Sequence, residues 1–223
     1  MRITLKDLTP LYIREYVENT IQPRYEQEKT GHDWNHILNV MYNMDQLIAE
    51  TRDIPNISDG SVSIIKAYLA VVYHDISLAK GGERRTHEID SANIFQNDEF
   101  IKDHLSEEDI HIVADAIRMH RASDGYIEDR TLLGKLLFQA DRCFLTSEPI
   151  DVFIRSRKYW EEKFPLLPYI DISKKALQHV IEKNGENGYA YDCIYFPKSV
   201  RPYKEKMLKF ISEAKLILGL GVE

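Results

Sequence analysis

The chain has 223 residues, 43% of them hydrophobic, and this length favours one domain with a sizeable core. Its formal net charge of −7 disfavours binding along a nucleic-acid backbone, which needs a basic face, but permits a small phosphate pocket. Cys143 and Cys193 lack metal-type spacing, and no apolar run approaches the roughly 18 residues that cross a bilayer. We expect a cytoplasmic protein with no disulfide framework, no signal peptide and no membrane partner.

The N-terminal part of the chain is predicted to be helical because its apolar residues recur at helical spacing. Three helical segments are expected: Leu5 to Val17 with an interruption at Pro10, Ile21 to Glu28, and, after Gly31, His32 to Thr51. In the last segment His36 lies four residues before Val40, so both share the inward face, and His32 lies one turn earlier. An inward histidine is either a hydrogen-bonded core residue or a metal ligand.

The next predicted helix runs from about Val62 to His74 and ends at a His74-Asp75 pair. Apolar residues lie on every side of it, which is typical of a buried helix. Burying an imidazole and a carboxylate costs free energy unless something pairs them, and a divalent metal ion pairs both. Consecutive helical residues point about 100° apart, so both reach one ion only near the helix end. The alternative is a capped helix end with a hydrogen-bonded histidine.

A charged loop follows this helix and carries three cationic side chains: Lys80, Arg84 and Arg85. They are either phosphate contacts or part of a solvated loop. The helix predicted after the loop, Thr86 to Asn97, places His87 on the same face as Ser91 and Phe95. His87 is therefore a further inward-facing candidate.

Two later helices each extend an apolar stripe to a polar side chain. In the first, which Ser106 is expected to cap, the stripe consists of Ile110, Val113, Ile117 and His120. In the second, it consists of Leu133, Leu137 and Asp141. An aspartate that continues a leucine stripe indicates a buried carboxylate, and a buried carboxylate needs a partner.

The rest of the chain continues the helical pattern after Pro149. Three helices are expected there: Ile150 to Phe164, Ser173 to Lys183, and Tyr203 to Leu218. The aromatic-rich stretch Tyr189 to Phe196 is compatible with an extended segment. No strong alternating pattern occurs elsewhere, so the predicted class is all-α. We expect a single domain, with a core at about residues 31–145 and a C-terminal helical extension at about 150–223.

Ligand-type side chains therefore lie on the inward face or at the core end of four predicted helices: His36, His74 with Asp75, His120, and Asp141. Taken one at a time, each of these side chains can be explained as a hydrogen-bonded core residue. One shared metal centre explains all of them together, because each buried polar group needs a partner.

Three segments, in this order, resemble the HD domain superfamily of metal-dependent phosphohydrolases. They are GHDWNHILNV with His36, AYLAVVYHDIS with His74 and Asp75, and LLFQADRCF with Asp141. The resemblance covers about Gly31 to Phe144 and implies an HD-type helical bundle in which those four side chains bind a metal ion. It also implies that His87 and His120 either bind a second metal or contact a substrate phosphate. We favour the phosphate contact, since the neighbouring arginines suit that side to an anion.

The chain departs from the superfamily pattern at several positions. Asn39 stands where many members have an arginine, and Leu78 stands where several have a lysine, for which Lys80 is a possible substitute. The absence of a Gly-Tyr-Pro signature argues against a cyclic-dinucleotide specialist.

The resemblance and the residue types predict a phosphohydrolase that acts on a small phosphorylated metabolite, which we expect to be a nucleotide. One or two divalent ions (Mn, Mg, Co, Ni, Zn or Fe) would lower the pKa of a bound water toward about 7, and that water would attack phosphorus. Asp75 is the expected catalytic residue, and the expected substrate contacts are His32, Lys80, Arg84 and Arg85. The alternatives are a di-iron oxygenase of the same superfamily and a non-catalytic metal- or nucleotide-binding module.

Overall fold

The structure, a computed structural model, describes residues 4–26, 32–51, 63–121, 131–142, 148–191 and 197–220. These residues form helices and turns, and no strand occurs among them, which confirms the predicted all-α class. The chain divides into two compact units, residues 1–142 and 143–223. In the part of the chain described, no helix is both long and apolar enough to cross a membrane.

The first unit begins with three short helices: α1 (Leu5–Leu8), α2 (Leu11–Tyr16) and α3 (Gln22–Tyr25). Pro10 separates α1 from α2, as its missing N–H group predicts. Between α2 and α3 the backbone forms a π-helical turn at Val17–Ile21, so the two expected helical pieces are one continuous path. The Tyr25 hydroxyl donates a hydrogen bond of 2.8 Å to the carbonyl of Val72, which ties this path to the central helix of the unit.

That central helix is α5, and it is one of seven helices that the described residues form after the N-terminal path in the first unit. In chain order they are α4 (Trp34–Thr51), α5 (Ile64–Tyr73), α6 (Ile76–Ala79), α7 (His87–Gln96), α8 (Glu99–His104), α9 (Glu107–Arg118) and α10 (Leu132–Arg142). Every residue from Lys66 to Leu78 is buried, as expected for a helix that is apolar on all sides. Helices α4, α9 and α10 contact α5, so its C-terminal end lies inside the unit.

The helix ends in the first unit differ from the predictions where side chains cap the backbone. Helix α4 begins at Trp34 rather than His32, because the Asp33 carboxylate accepts a hydrogen bond of 3.0 Å from the backbone N–H of His36. Ser63 caps α5, and Val62 lies outside the described residues. Helix α8 was not predicted, and its cap, Asp98, accepts a hydrogen bond from the N–H of Phe100.

The second unit contains α11 (Pro149–Lys163), α12 (Tyr169–Asn184), a 3-10 turn (Tyr189–Tyr191) and α13 (Pro197–Ile217). The extended segment predicted at residues 189–196 is wrong for residues 189–191, and the remainder lies outside the described residues. Helix α12 starts directly after Pro168, and α13 continues through Pro202, so both begin before the predicted positions. The Tyr203 hydroxyl donates to the Asn184 side chain at 3.0 Å and joins α13 to α12.

Candidate metal centre

Six ligand-type side chains from five segments meet at the C-terminal end of α5. They are His36 on α4, His74 and Asp75 at the end of α5, His87 at the start of α7, His120 just after α9, and Asp141 on α10. The structure thus brings together every side chain that the sequence singled out as a possible ligand. These side chains lie together because α5 ends inside the unit and because each neighbouring helix places one polar residue of its inward face beside that end.

The first of two ligand groups lies between α4, α5 and α10. In this group, the Nε2 atom of His36 is 3.3 Å from that of His74 and 3.2 Å from Oδ1 of Asp141. Oδ2 of Asp75 lies 3.1 Å from His74 Nε2 and 3.4 Å from His36 Nε2. Two imidazoles and two carboxylates therefore converge on one point.

The second ligand group lies on the other side of the same carboxylate. Oδ1 of Asp75 is 3.5 Å from Nε2 of His87 and 3.7 Å from Nε2 of His120. The two Nε2 atoms are 3.1 Å apart. Asp75 thus contributes one oxygen to each group, and its side chain is only 2% exposed.

Outer hydrogen bonds fix the orientation of three of these imidazoles. The Nδ1 atoms of His74, His87 and His120 lie 2.8, 3.0 and 2.6 Å from the backbone carbonyls of Val71, Arg84 and Ile117. A carbonyl accepts a hydrogen bond only from a protonated nitrogen, so Nδ1 carries the proton of each neutral ring. The Nε2 lone pairs are then directed into the two groups, as in metal-bound histidines.

The charged residues of the first group shift one another's pKa. Burial by itself would raise the pKa of Asp75, but His74 and His32 hold it well below its usual range. Burial opposes a charge on His36, yet hydrogen bonds with Asp141 and Asp75 raise the pKa of His36 to about 9. Without a cation, the group keeps a proton at neutral pH, and a metal ion that binds must displace it.

A cation would stabilise the arrangement of donor atoms in the second group. Oδ1 of Asp75 is buried and accepts no hydrogen bond from the residues that the structure describes. The facing Nε2 lone pairs of His87 and His120 repel each other unless a cation or a proton lies between them. Nitrogen and carboxylate oxygen are ordinary donors for first-row divalent metals. The donor set therefore fits metal ions in both groups.

Comparison with known families agrees with this geometry. A family model described as the HD domain matches residues 33–144, half of the chain. The chain belongs to the HD domain family. HD domains bind divalent metals, and most members are metal-dependent phosphohydrolases. Neither the curated proteins nor the solved structures provide a match. All six ligand-type side chains lie within the HD domain, and α11 to α13 lie outside it.

The predicted substrate contacts occupy different positions around the centre of the HD domain. His32 is closest: its Nδ1 lies 2.6 Å from Oδ2 of Asp75, and its side chain is 28% exposed. Arg84 and Arg85 are exposed in the turns before α7, and Lys80 is exposed after α6. Partial burial, with the nearby Arg24, lowers the pKa of Lys80. A phosphate contact by any of these four side chains stays a prediction.

Three residues beside the centre were not singled out from the sequence as site residues. Glu88 is buried next to His87, Arg121 contacts Glu88 at 3.2 Å, and Arg142 donates a 3.1 Å hydrogen bond to the carbonyl of His120. Glu88 lies in a run of charged residues, and no periodicity distinguishes it from its solvated neighbours. The only available signal was its position directly after a candidate histidine.

Proposed function

We propose that the protein is a metal-dependent phosphohydrolase of the HD superfamily that acts on a small phosphorylated metabolite, with nucleotides as the first candidates. The observation that carries the proposal is the placement of Asp75 between two pairs of imidazoles, with one carboxylate oxygen directed to each pair. No packing role requires four histidines around one buried carboxylate, whereas metal-dependent hydrolysis uses such a set.

Two ions fit the donor set better than one. We assign the first to the group of His36, His74, Asp75 and Asp141, and the second to the group of Asp75, His87 and His120. This assignment replaces the phosphate contact that we favoured for His87 and His120 from the sequence. Nδ1 holds the proton of each ring, so Nε2 has none to donate to a phosphate. Burial and His120 also lower the pKa of His87, which opposes a second proton.

The protein groups have distinct roles in the proposed reaction. Bound divalent metal supplies an activated water near neutral pH and polarises a phosphoryl oxygen. Asp75, held ionised by its imidazole neighbours, orients the attacking water, which displaces the leaving group from phosphorus. His32 and the exposed cations Lys80, Arg84 and Arg85 bind phosphate oxygens, with arginine suited to a two-point contact.

An activity screen tests the proposal directly. Metal-free protein is assayed for phosphate release from nucleotides and simple phosphate esters, with Mn, Mg, Co, Ni, Zn and Fe added in turn. We expect activity with at least one metal and one ester, and its loss in Asp75→Ala. Asp103→Ala, which removes an exposed carboxylate from α8 in the same unit, is the matched control and keeps full activity. An active Asp75→Ala protein would contradict the assigned role.

The shared carboxylate also favours a second candidate function, a di-iron oxygenase of the same superfamily. Such enzymes use six histidine and aspartate ligands, and this centre contains the six side chains of the two ligand groups, with His32 beside them. Iron in the purified protein and oxygen consumption without phosphate release would support this candidate. Failure of both assays with every metal would leave a non-catalytic binding module as the function.

A further inference from the structure

Glu88 is a buried carboxylate that the proposed reaction does not use. It is only 2% exposed, although it lies in a segment whose preceding residues, 80–86, are all exposed. One carboxylate oxygen, Oε1, accepts a hydrogen bond of 3.2 Å from the Arg121 guanidinium. The other, Oε2, lies 3.1 Å from Nδ1 of His87, on the side of the ring opposite the second ligand group.

Oε2 competes with a backbone carbonyl for one proton. The Nδ1–H of His87 donates to the carbonyl of Arg84 at 3.0 Å. Glu88 Oε2 is consequently buried without a hydrogen bond from any residue in the described part of the chain. A buried anionic oxygen without a donor is unfavourable. A cation at Nε2 of His87 would draw electron density from the ring and make Nδ1–H a stronger donor beside that oxygen.

Arg121 connects the same carboxylate to both turns that carry ligands of the second group. Its guanidinium donates to Glu88 and to the backbone carbonyl of Arg85. It directly follows His120 in the chain, while Arg85 lies two residues before His87. The Glu88–Arg121 pair therefore links the start of α7 to the end of α9, beside the two imidazoles of the second group.

We infer that Glu88 is a positioning residue for the second metal ion, acting through His87 and Arg121. The inference rests on the two-ion centre proposed above and extends it to a residue that would touch neither metal nor substrate. Outer carboxylates of this kind typically change metal affinity by about 10- to 100-fold when removed. Glu88 has no contact with the first ligand group among the contacts described, so that group should be insensitive to its charge.

The experiment is a titration of the metal-free protein with Mn²⁺. Binding is monitored by calorimetry and by the electron paramagnetic resonance signal of free Mn²⁺. We expect two binding steps in the wild type. Glu88→Gln, which keeps the side-chain shape and removes the charge, should weaken the second step about 10- to 100-fold and leave the first unchanged. Glu83→Gln removes an exposed charge from the same segment and should change neither step.

The ratio of the two dissociation constants separates positioning from a structural role, because a distorted fold weakens both steps together. Glu88→Asp keeps the charge and should restore most of the affinity of the second binding step. If Glu88→Gln does not fold, Glu88→Asp can still be compared with the wild type. Wild-type protein that binds a single ion overturns the two-ion centre and this inference with it. Two ions in the wild type with an unchanged second step in Glu88→Gln overturns the role of Glu88 alone.

Discussion

Replacing His120 by alanine should remove one ion and leave the other in place. The His120 side chain is 1% exposed, and its Nε2 lies 3.1 Å from that of His87 and 3.7 Å from Oδ1 of Asp75. It belongs to the second ligand group and not to the first. His120→Ala therefore deletes one of the three donors of the second group, while all four donors of the first remain.

The expected size of the effect follows from ligand linkage. An ion present at a hundred times its dissociation constant stabilises the folded protein by about 2.7 kcal/mol. For a folding unit of this size, each kcal/mol raises the melting temperature by roughly 2–4 °C, so each ion contributes about 5–11 °C. Two ions in the wild type should raise the melting temperature by up to twice that amount, and His120→Ala should show about one ion's share.

Scanning calorimetry at several Mn²⁺ concentrations measures this difference in the transition that responds to metal. His111→Ala is the matched control, because His111 lies on α9 nine residues earlier, is exposed, and belongs to neither ligand group. It should keep the full wild-type rise in melting temperature. A His120→Ala protein with the same metal-dependent rise as the wild type would refute the second ligand group.

Three further outcomes are expected. Because the pKa of His36 is about 9, metal binding displaces a proton, and calorimetry should show affinity rising about tenfold per pH unit from 7 to 9; a flat profile would contradict this. Burial and Lys183 lower the pKa of His179, so the unfolded chain binds that proton more tightly, and stability falls as pH drops below 6.5. His179→Gln should flatten this part of the urea-denaturation profile. Tyr25→Phe removes the buried hydrogen bond to Val72 and should lower the free energy of unfolding by about 1 kcal/mol, with exposed Tyr42→Phe unchanged.

The sequence was sufficient to predict that ligand-type side chains on two of the helices point inward. His36 shares a stripe with Val40, and Asp141 continues the stripe of Leu133 and Leu137, because side chains four residues apart lie on one face of a helix. The central helix was predicted to be buried because it has no polar face. Both predictions depend on local periodicity, which a single segment contains in full.

The pairing of the imidazoles depends on information that no segment contains. His87 starts one helix and His120 follows the end of another, and their 3.1 Å separation results from how α7 packs on α9. The division of Asp75 between two groups and the burial of Glu88 follow from the same packing. Helix α8 was missed because its six residues are too few for a periodic pattern.

In the proposed two-ion centre, the Asp75 carboxylate belongs to both ligand groups and would couple the two ion-binding equilibria. If the first ion changes the binding free energy of the second, then the second ion changes the binding free energy of the first by the same amount. Charge repulsion across Asp75 would oppose double occupancy, and loss of the proton near His36 when the first ion binds would lessen that repulsion. In such a centre, the metal preferred in one group would depend on which metal fills the other. Loading Mn²⁺ before Zn²⁺, or Zn²⁺ before Mn²⁺, must end at the same mixed centre once equilibrium is reached.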